Sequence, residues 1–465
     1  MNRRFLPIPL AGLALVAGCA VGPDYRRPAF QTTDGFKEAA DWKPTEPGAA
    51  MSRGPWWAIF KDDDLDRLET RIRISNENVK AAAAAVDQAR ALVAQAQAGF
   101  WPSINAGAGL QRGSIDGVPA RQTVSATLSG DWTLDIWGQI RRTVESDRAS
   151  AQASDAALAA ATLSAQGQLA IDYFELRAQD ELQRLLDDIV VAEQLSLKIT
   201  ESRYKYGVAA KADVVTAQTQ LLASQAQQIN AGIQRATLEH AIAVLVGQLP
   251  SAFSIAPVPT MPADVPTVPV GLPSSLLERR PDVAEAERKM QSENALIGVA
   301  ISAYFPSLTL AGSGSYQSST LSNLITASNR VWSFGPELAV SLFDGGLRRA
   351  QTAQARAVYD QSVDNYRQTA LTAFQQVEDD LATLRILEQQ AVVEDETVKM
   401  AKEAERLVLN QYKAGTVPYS SVITAQNTTF SAEQAALTVL QTRLTTSISM
   451  IEALGGGWST QQLPK

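Results

Sequence analysis

Two periodicities alternate along this chain. Over 121–137 the residues Val124, Ala126, Leu128, Trp132, Leu134 and Ile136 alternate with Thr123, Ser125, Thr127, Ser129, Asp131, Thr133 and Asp135. A period of two puts the apolar side chains on one face and the polar ones on the other, so this segment predicts a strand. A weaker alternation over 103–111 sets Ile104, Ala106, Ala108 and Leu110 on one side. Farther on, Leu308, Leu310 and Tyr316 alternate with Thr309, Ser313, Ser315 and Gln317, predicting a strand over 307–317. Trp332, Phe334, Leu338, Val340 and Leu342 mark a fourth over 331–343. Turn-rich stretches at 112–120 and 318–330 join each pair into a hairpin, and Pro102 and Pro306 stand where each first strand begins, a position that tolerates a missing amide.

The second periodicity is helical and long. No proline interrupts 138–206, where Leu182, Leu185, Ile189, Ala192, Leu195 and Ile199 step by three and four. The same holds for 347–412, with Phe374, Val377, Leu381, Leu384, Ala391 and Val398 in the stripe. Each segment is roughly 100 Å long as a helix, more than a globular domain needs. Shorter partners follow at 212–245 and 420–454, and Ala-rich faces such as 149–170 allow close helix–helix approach. Gly207 and Gly415 stand at the hinges, where a helix C-terminus favours a left-handed residue. Asp213, and Ser420 or Ser421, are the candidate N-caps beyond them.

The chain also repeats itself. Tyr204-Lys205-Tyr206-Gly207-Val208, then Val214 and Thr216-Ala217-Gln218, returns 208 residues later as Tyr412-Lys413-Ala414-Gly415-Thr416, Val422 and Thr424-Ala425-Gln426. Trp101-Pro102-Ser103 returns as Phe305-Pro306-Ser307 at 204, and Arg141-Arg142 as Arg348-Arg349 at 207. The organisation read from this is a first repeat over 55–249, a proline-rich crossover over 250–273, a second repeat over 274–458 and a tail over 459–465. Each repeat holds one β-hairpin and one long helical hairpin.

Alternating strands also suit a soluble sandwich. Two features favour a membrane β-barrel with lipid-facing apolar rows and a polar lumen. Phe100, Trp101, Trp137, Tyr304, Phe305 and Phe343 gather near strand ends as interfacial girdles do, and the polar rows lack bulky residues to fill an interior. Four strands close no barrel, since single-chain barrels begin at about eight, so several copies must share one sheet.

The N-terminus supports the membrane reading. Residues 1–18 join Arg3 and Arg4 to an apolar run and read as a signal peptide. Leu15-Val16-Ala17-Gly18-Cys19 resembles a bacterial lipobox, which would make Cys19 the first residue of the mature chain and the site of covalent lipid, with 19–54 an extended tail. Ordinary cleavage nearby would instead leave a free thiol. Ala20 after the cysteine, by resemblance to Gram-negative lipoproteins, implies sorting to the outer membrane.

Composition removes most other chemistry. Of 465 residues, aromatics make up 6% and charged residues 19%, which suits Ala-packed helices better than an aromatic-rich enzyme core. A single cysteine excludes a disulfide framework, and a single histidine, His240 on a predicted helix, excludes histidine-based metal clusters. Net charge is -8, or -10 with 39 basic against 49 acidic residues once Arg3 and Arg4 leave with the signal, which argues against nucleic acid as partner. Gly455-Gly456-Gly457 follows a helix and reads as its terminator rather than a phosphate loop.

Four motifs are similar to those of the TolC-like outer-membrane efflux lipoproteins of Gram-negative bacteria, the NodT-type outer components of RND-type tripartite pumps. They are Val21-Gly22-Pro23-Asp24-Tyr25; Trp56-Trp57 with Phe60, Asp62, Leu65 and Leu68; Val270-Gly271-Leu272-Pro273-Ser274 leading into Leu277-Glu278-Arg279-Arg280-Pro281-Asp282; and the repeated Tyr-x-x-Gly tips. The resemblance spans essentially the whole chain. It implies a membrane α+β fold in which a homotrimer forms a twelve-stranded β-barrel continuous with a periplasmic α-helical barrel. It also implies passive export, with a periplasmic adaptor (membrane fusion) protein and an inner-membrane RND-type pump as partners and no cofactor beyond the lipid.

For the periplasmic gate the resemblance implies Tyr412 as the matching tyrosine. Val417 stands where the family has arginine, and Ser421 and Thr424 stand where it has aspartate, so an ionic lock there lacks its charges. Asp213 matches a family carboxylate, and a ring of three would favour cations, or else it simply caps its helix. Gly207, Val208 and Ala209, with Gly415, Thr416 and Val417, match the tips that dock adaptor hairpins, or are plain helix–helix turns. The competing reading of the whole chain is a lipid-anchored periplasmic coiled-coil scaffold, which explains the helices and leaves both β-hairpins unexplained. An enzyme would require a catalytic carboxylate pair that no motif indicates.

Overall fold

In the computed structural model of the chain, the described residues are 20–30, 33, 35–39, 55–114, 119–268 and 273–464. The predicted signal peptide, Cys19 and Val270-Gly271-Leu272 lie outside them. The elements in chain order are α1 (Asp63–Ser75), α2 (Glu77–Ala98), β1 (Ser103–Gly113), β2 (Arg121–Leu134), α3 (Gln139–Lys205) and α4 (Lys211–Leu245). After the crossover come α5 (Pro273–Arg279), α6 (Pro281–Ser302), β3 (Ser307–Ser318), β4 (Arg330–Ala339), α7 (Leu347–Ala414) and α8 (Tyr419–Ala453). Each repeat therefore runs helix, helix, hairpin, long helix, shorter helix.

The helices α1, α2, α5 and α6 are additions to what periodicity predicts, and they extend the repeat. α2 and α6 are both 22 residues long and start 204 residues apart. Asp62 starts α1 by accepting hydrogen bonds from the backbone of Asp64 and Leu65 at 3.0 and 3.1 Å. Between α1 and α2, Asn76 donates to the Leu245 carbonyl at 2.8 Å. Its counterpart Arg280, between α5 and α6, donates to the Ala453 carbonyl at 3.2 Å. Those carbonyls belong to the last turns of α4 and α8, so each repeat closes on its own start. Gly247 and Gly455 follow these turns with φ of 67° and 89°, and a Cβ there would sit 2.2 Å from the carbonyl oxygen of Ser75 or Arg279. Only glycine fits both the left-handed backbone and the approach.

Strand and helix bounds differ from the sequence expectation where a side chain or a partner strand ends the element. β2 stops at Leu134 rather than at 137, because the Asp135 carboxylate turns to accept the backbone N–H of Ile140 and Arg141 at 2.9 and 3.0 Å, starting α3. β4 ends at Ala339 rather than 343 because Ala339 pairs with Ser307, the first residue of β3; farther on, Asp344 accepts from the Gly346 backbone at 2.9 Å and from Arg348 Nε at 2.5 Å at the start of α7. Asp213 and Ser421 are not N-caps. α4 begins after Ala210, which places Asp213 in its first turn with the Ala210 N–H donated to its carboxylate at 3.3 Å. α8 begins after Pro418, with Tyr419 its first residue, so neither Ser420 nor Ser421 caps it.

Two compact units organise the described residues. One comprises 20–30, 84–155 and 285–368 and contains all four strands. There the N-terminal segment is held in place: the Val21 N–H donates to the Trp137 carbonyl at 3.0 Å, and Arg142 pairs with Asp24 at 2.8 Å. The other unit is helical, comprising the described part of 31–83 with 156–284 and 369–464. Its core gathers Trp56, Trp57, Leu65, Ile72, Leu169, Phe174, Ile242, Leu381, Leu444 and Ile448. The crossover runs extended after a turn at Pro250–Ala252. Asp180 accepts from Val258 at 2.9 Å, Glu239 from Ile255 at 2.7 Å, and Arg177 donates to Thr260 at 3.0 Å, which gives its backbone the partners a lone extended chain lacks.

Candidate functional site

In the strand unit, β1, β2, β3 and β4 form one antiparallel sheet in that order, so the hairpins of the two repeats are joined through β2 and β3. The registers line up the apolar rows. Leu110 faces Val124 and Ala106 faces Leu128, while Trp132 faces Leu310 and Leu134 faces Leu308. Leu308 then faces Leu338, and Gly312 and Gly314 face Phe334 and Trp332. The opposite face carries Ser, Thr, Asn and Gln, with Thr133 and Thr309 hydroxyls 3.2 Å apart and Ser313 and Ser333 2.9 Å apart. One surface is thus apolar and the other hydrophilic across all four strands.

Neither the apolar face nor the sheet edges find a partner within the sheet. Ile104, Leu110, Leu128, Trp332, Phe334 and Leu338 are all exposed. β1 and β4, 11 and 10 residues long, each pair on one side only. A long open edge beside an exposed apolar face is an aggregation hazard in water. It is consistent with lipid on one side and additional strands at both edges. Near the strand bases Trp137 stacks on Phe305 at 4.6 Å and donates to the Pro306 carbonyl at 2.8 Å, and Trp132 donates to the Phe100 carbonyl at 2.9 Å. An aromatic ring with one satisfied polar atom suits a membrane–water boundary.

The second candidate region is the pair of helix tips in the helical unit. Gly207 and Gly415 have φ of 74° and 79°. The Val208 N–H reaches back to Arg203 at 2.8 Å and the Thr416 N–H to Gln411 at 3.0 Å, closing both helices alike. Gly207, Val208, Gly415 and Thr416 are exposed, and Ala209 and Val417 half-buried. Tyr412, Tyr419, Val422 and Ala217 form a small buried cluster, flanked by Leu197, Ile199 and Val417.

The repeat symmetry breaks at this cluster. Tyr412 is 3% exposed, whereas its counterpart Tyr204 is 45% exposed, with only Lys211 over its ring at 5.5 Å. The Tyr412 hydroxyl lies 3.0 Å from Thr200 Oγ1, and its ring is 5.5 Å from that of Tyr419. The Tyr419 hydroxyl is buried without a hydrogen-bond partner, and burial, with a contribution from the Glu193 charge, pushes it up to about 12. Burial likewise raises Glu193, to which Gln220 donates at 3.1 Å.

Of the proposed gate residues, Ser421 is half-buried in the first turn of α8, and Thr424 is exposed with its hydroxyl donated to Ser420 at 3.0 Å. Among the described residues no hydrogen bond joins Tyr412 to Asp213, Ser421 or Thr424. Thr200, Arg203, Glu193 and Tyr419 are the neighbours that sequence reasoning missed. Thr200 and Arg203 stand one helical turn apart, just before the repeated tyrosine, and that spacing was the available signal.

A family model described as "Outer membrane efflux protein" matches residues 70–248 and 272–456, one stretch in each repeat. The chain belongs to the outer membrane efflux protein family. It is similar to the toluene efflux pump outer membrane protein TtgC of Pseudomonas putida, 28% identical over 99% of this chain and 97% of that protein. It is also similar to the cation efflux system protein CusC of Escherichia coli, 28% identical over 98% and 99%. Among solved structures, that of the outer-membrane channel OprN superposes with a TM-score of 0.86 at 28% identity, covering 95% of this chain and all of that one. As an outer membrane efflux protein, the chain is an exit channel of the outer membrane, and its sheet is the part that meets lipid.

Proposed function

We propose that three copies of the chain assemble into one duct, each adding four strands to a twelve-stranded barrel and its long helices to a periplasmic tunnel. The observation that carries this reading is the four-stranded sheet with one apolar face and two open edges: β4 of one copy would pair with β1 of the next until the ring closes. The helices support it. Ile386, Val393, Met400 and Leu407 recur every seven residues on α7 and are exposed in a single chain, the spacing of a seam that packs against another helix.

In this reading the duct performs no chemistry. An adaptor protein docks on the tips at Gly207, Val208, Ala209, Gly415, Thr416 and Val417, and an inner-membrane pump of RND type loads cargo. Tyr412, Asp213, Ser421 and Thr424 lie at the constriction that must widen for passage. Cys19 carries the lipid that holds the N-terminal segment at the inner leaflet. The Ser- and Thr-rich face would line a wet lumen suited to solutes of varied chemistry, which agrees with relatives named for toluene and for cations.

Planar-bilayer recording of the purified full chain tests the proposal. Discrete conductance from a species that light scattering sizes as a trimer is expected. A monomer that stays silent, also when Tyr412 is replaced by Ala, would overturn it.

A further inference from the structure

The residues where the family resemblance implies an ionic lock are uncharged here, being Val417, Ser421 and Thr424. A cation nevertheless sits at the tip, on the other repeat. The Arg203 guanidinium lies over the Tyr412 ring, 4.7 Å from its centroid. Its Nη1 donates to the Tyr412 carbonyl at 2.5 Å and reaches the Lys413 carbonyl at 3.4 Å. Those are carbonyls of the last turn of α7, at the negative end of the helix dipole, and the Tyr412 carbonyl also accepts the Gly415 N–H at 3.0 Å. One turn earlier on α3, Thr200 meets the Tyr412 hydroxyl at 3.0 Å.

One face of α3 therefore grips Tyr412 at its backbone, its ring and its hydroxyl. The grip has no counterpart in the repeat. Position 411 holds Gln where 203 holds Arg, and Tyr204 is exposed.

We propose that Arg203 is the latch of the tip: reaching from the first helical hairpin, it clasps the end of α7 and the Tyr412 ring, and the second hairpin swings away only when this clasp breaks. The proposal rests on the reading of the tips as the constriction of the duct. Arg203 acts by positioning Tyr412 and needs no contact with cargo. Its partners are neutral carbonyl oxygens and a π face, so the clasp differs in kind from a carboxylate–guanidinium lock.

The test is single-channel recording of the full chain carrying Arg203→Met, Arg203→Lys, Tyr412→Ala, or Arg203→Met with Tyr412→Ala. Arg203→Met keeps the aliphatic stem and loses the donors, and should raise the open fraction about tenfold, the shift expected when a two-state equilibrium loses one charged hydrogen bond. Tyr412→Ala should do the same, and the double variant should exceed neither single one, because both remove one clasp. Arg203→Lys, which keeps the charge without the planar fork, should fall between wild type and Arg203→Met, at unchanged trimer melting temperature. A merely structural role would move the melting temperature instead.

If Tyr412→Ala opens the channel while Arg203→Met and Arg203→Lys gate like wild type, the latch assignment is overturned and the tip constriction stands. If the channel conducts and none of the four variants alters gating, the constriction lies away from the tips and both readings fall. Should Arg203→Met not assemble, wild-type gating in Arg203→Lys together with an open Tyr412→Ala overturns the latch.

Discussion

Single residues carry both the strain and the asymmetry of this chain. Glu69 on α1 is fully buried, neither carboxyl oxygen has a hydrogen-bond partner, and burial, with Glu452 and Asp66 nearby, pushes it up to about 9. Glu452 and Asp380 are pushed up to about 7, again first by burial. An unfolded glutamate titrates near 4.3, so between that value and about 9 the native chain holds a proton the unfolded chain has lost. Stability contributed here is present at acid pH and falls as pH rises through this window. Glu69→Gln should therefore melt on the order of 5 °C above wild type at pH 8 and within about 1 °C of it at pH 4. Calorimetry of the detergent-solubilised protein checks this, and a wild-type-like slope in the variant would count against it. The tyrosine pair gives a second contrast. Tyr412→Ala should raise the open fraction of the channel, whereas Tyr204→Ala should leave it unchanged, although the two occupy the same place in the repeat.

At the scale of elements, all four strands and four long helices were legible from the sequence, because alternation and the proline-free stripes are strong signals and the repeat supplies each twice. Element ends were less legible. Asp135 terminates β2 by folding back on the next helix and β4 ends where its partner β3 begins, and alternation registers neither a carboxylate that changes direction nor the reach of a neighbouring strand. Helix α2 shows little contrast between faces in its alanine-rich stretch 81–85 and α5 spans only seven residues, whereas α1, with Leu65, Leu68 and Ile72 on one buried side behind Asp62, and α6, opening on Pro281, carried usable signals. The tip was legible only in part: the glycines and Tyr412 stand out in the repeat, whereas Thr200 and Arg203 acquire meaning only when α3 packs against the end of α7. The turns that close each repeat yield a further prediction. Gly247→Ala and Gly455→Ala should each cost about 2 kcal/mol or more, since left-handed strain adds to a collision with a carbonyl. Gly345→Ala, at a φ of 64° in open space, should cost only about 1 kcal/mol. Equal losses at the three positions in denaturant titrations would show that the collision is relieved elsewhere.

For the whole molecule, the sheet decides how the chain is used. In the proposed ring, a chain with four strands, one apolar face and free edges is completed by lipid and by copies of itself, and each pair of repeats would supply a third of the barrel. The N-terminal segment fits the same picture, since Ala20 and Val21 lie beside Trp137 and Gly138 at the foot of β2. Cys19→Ser should abolish metabolic palmitate labelling, and persistent label would refute the site. Ring closure is the central claim, and disulfide trapping in isolated outer membranes tests it most directly. Cysteines would be placed in pairs on the polar face, at Asn105, Gly107 or Gly109 of β1 and at Ser333, Gly335 or Glu337 of β4, since neighbouring strands bring Cα atoms within disulfide reach. At least one pair should oxidise into a covalent ladder that stops at three chains. Chains that remain monomeric for every pair, or ladders that continue past three, would contradict the account.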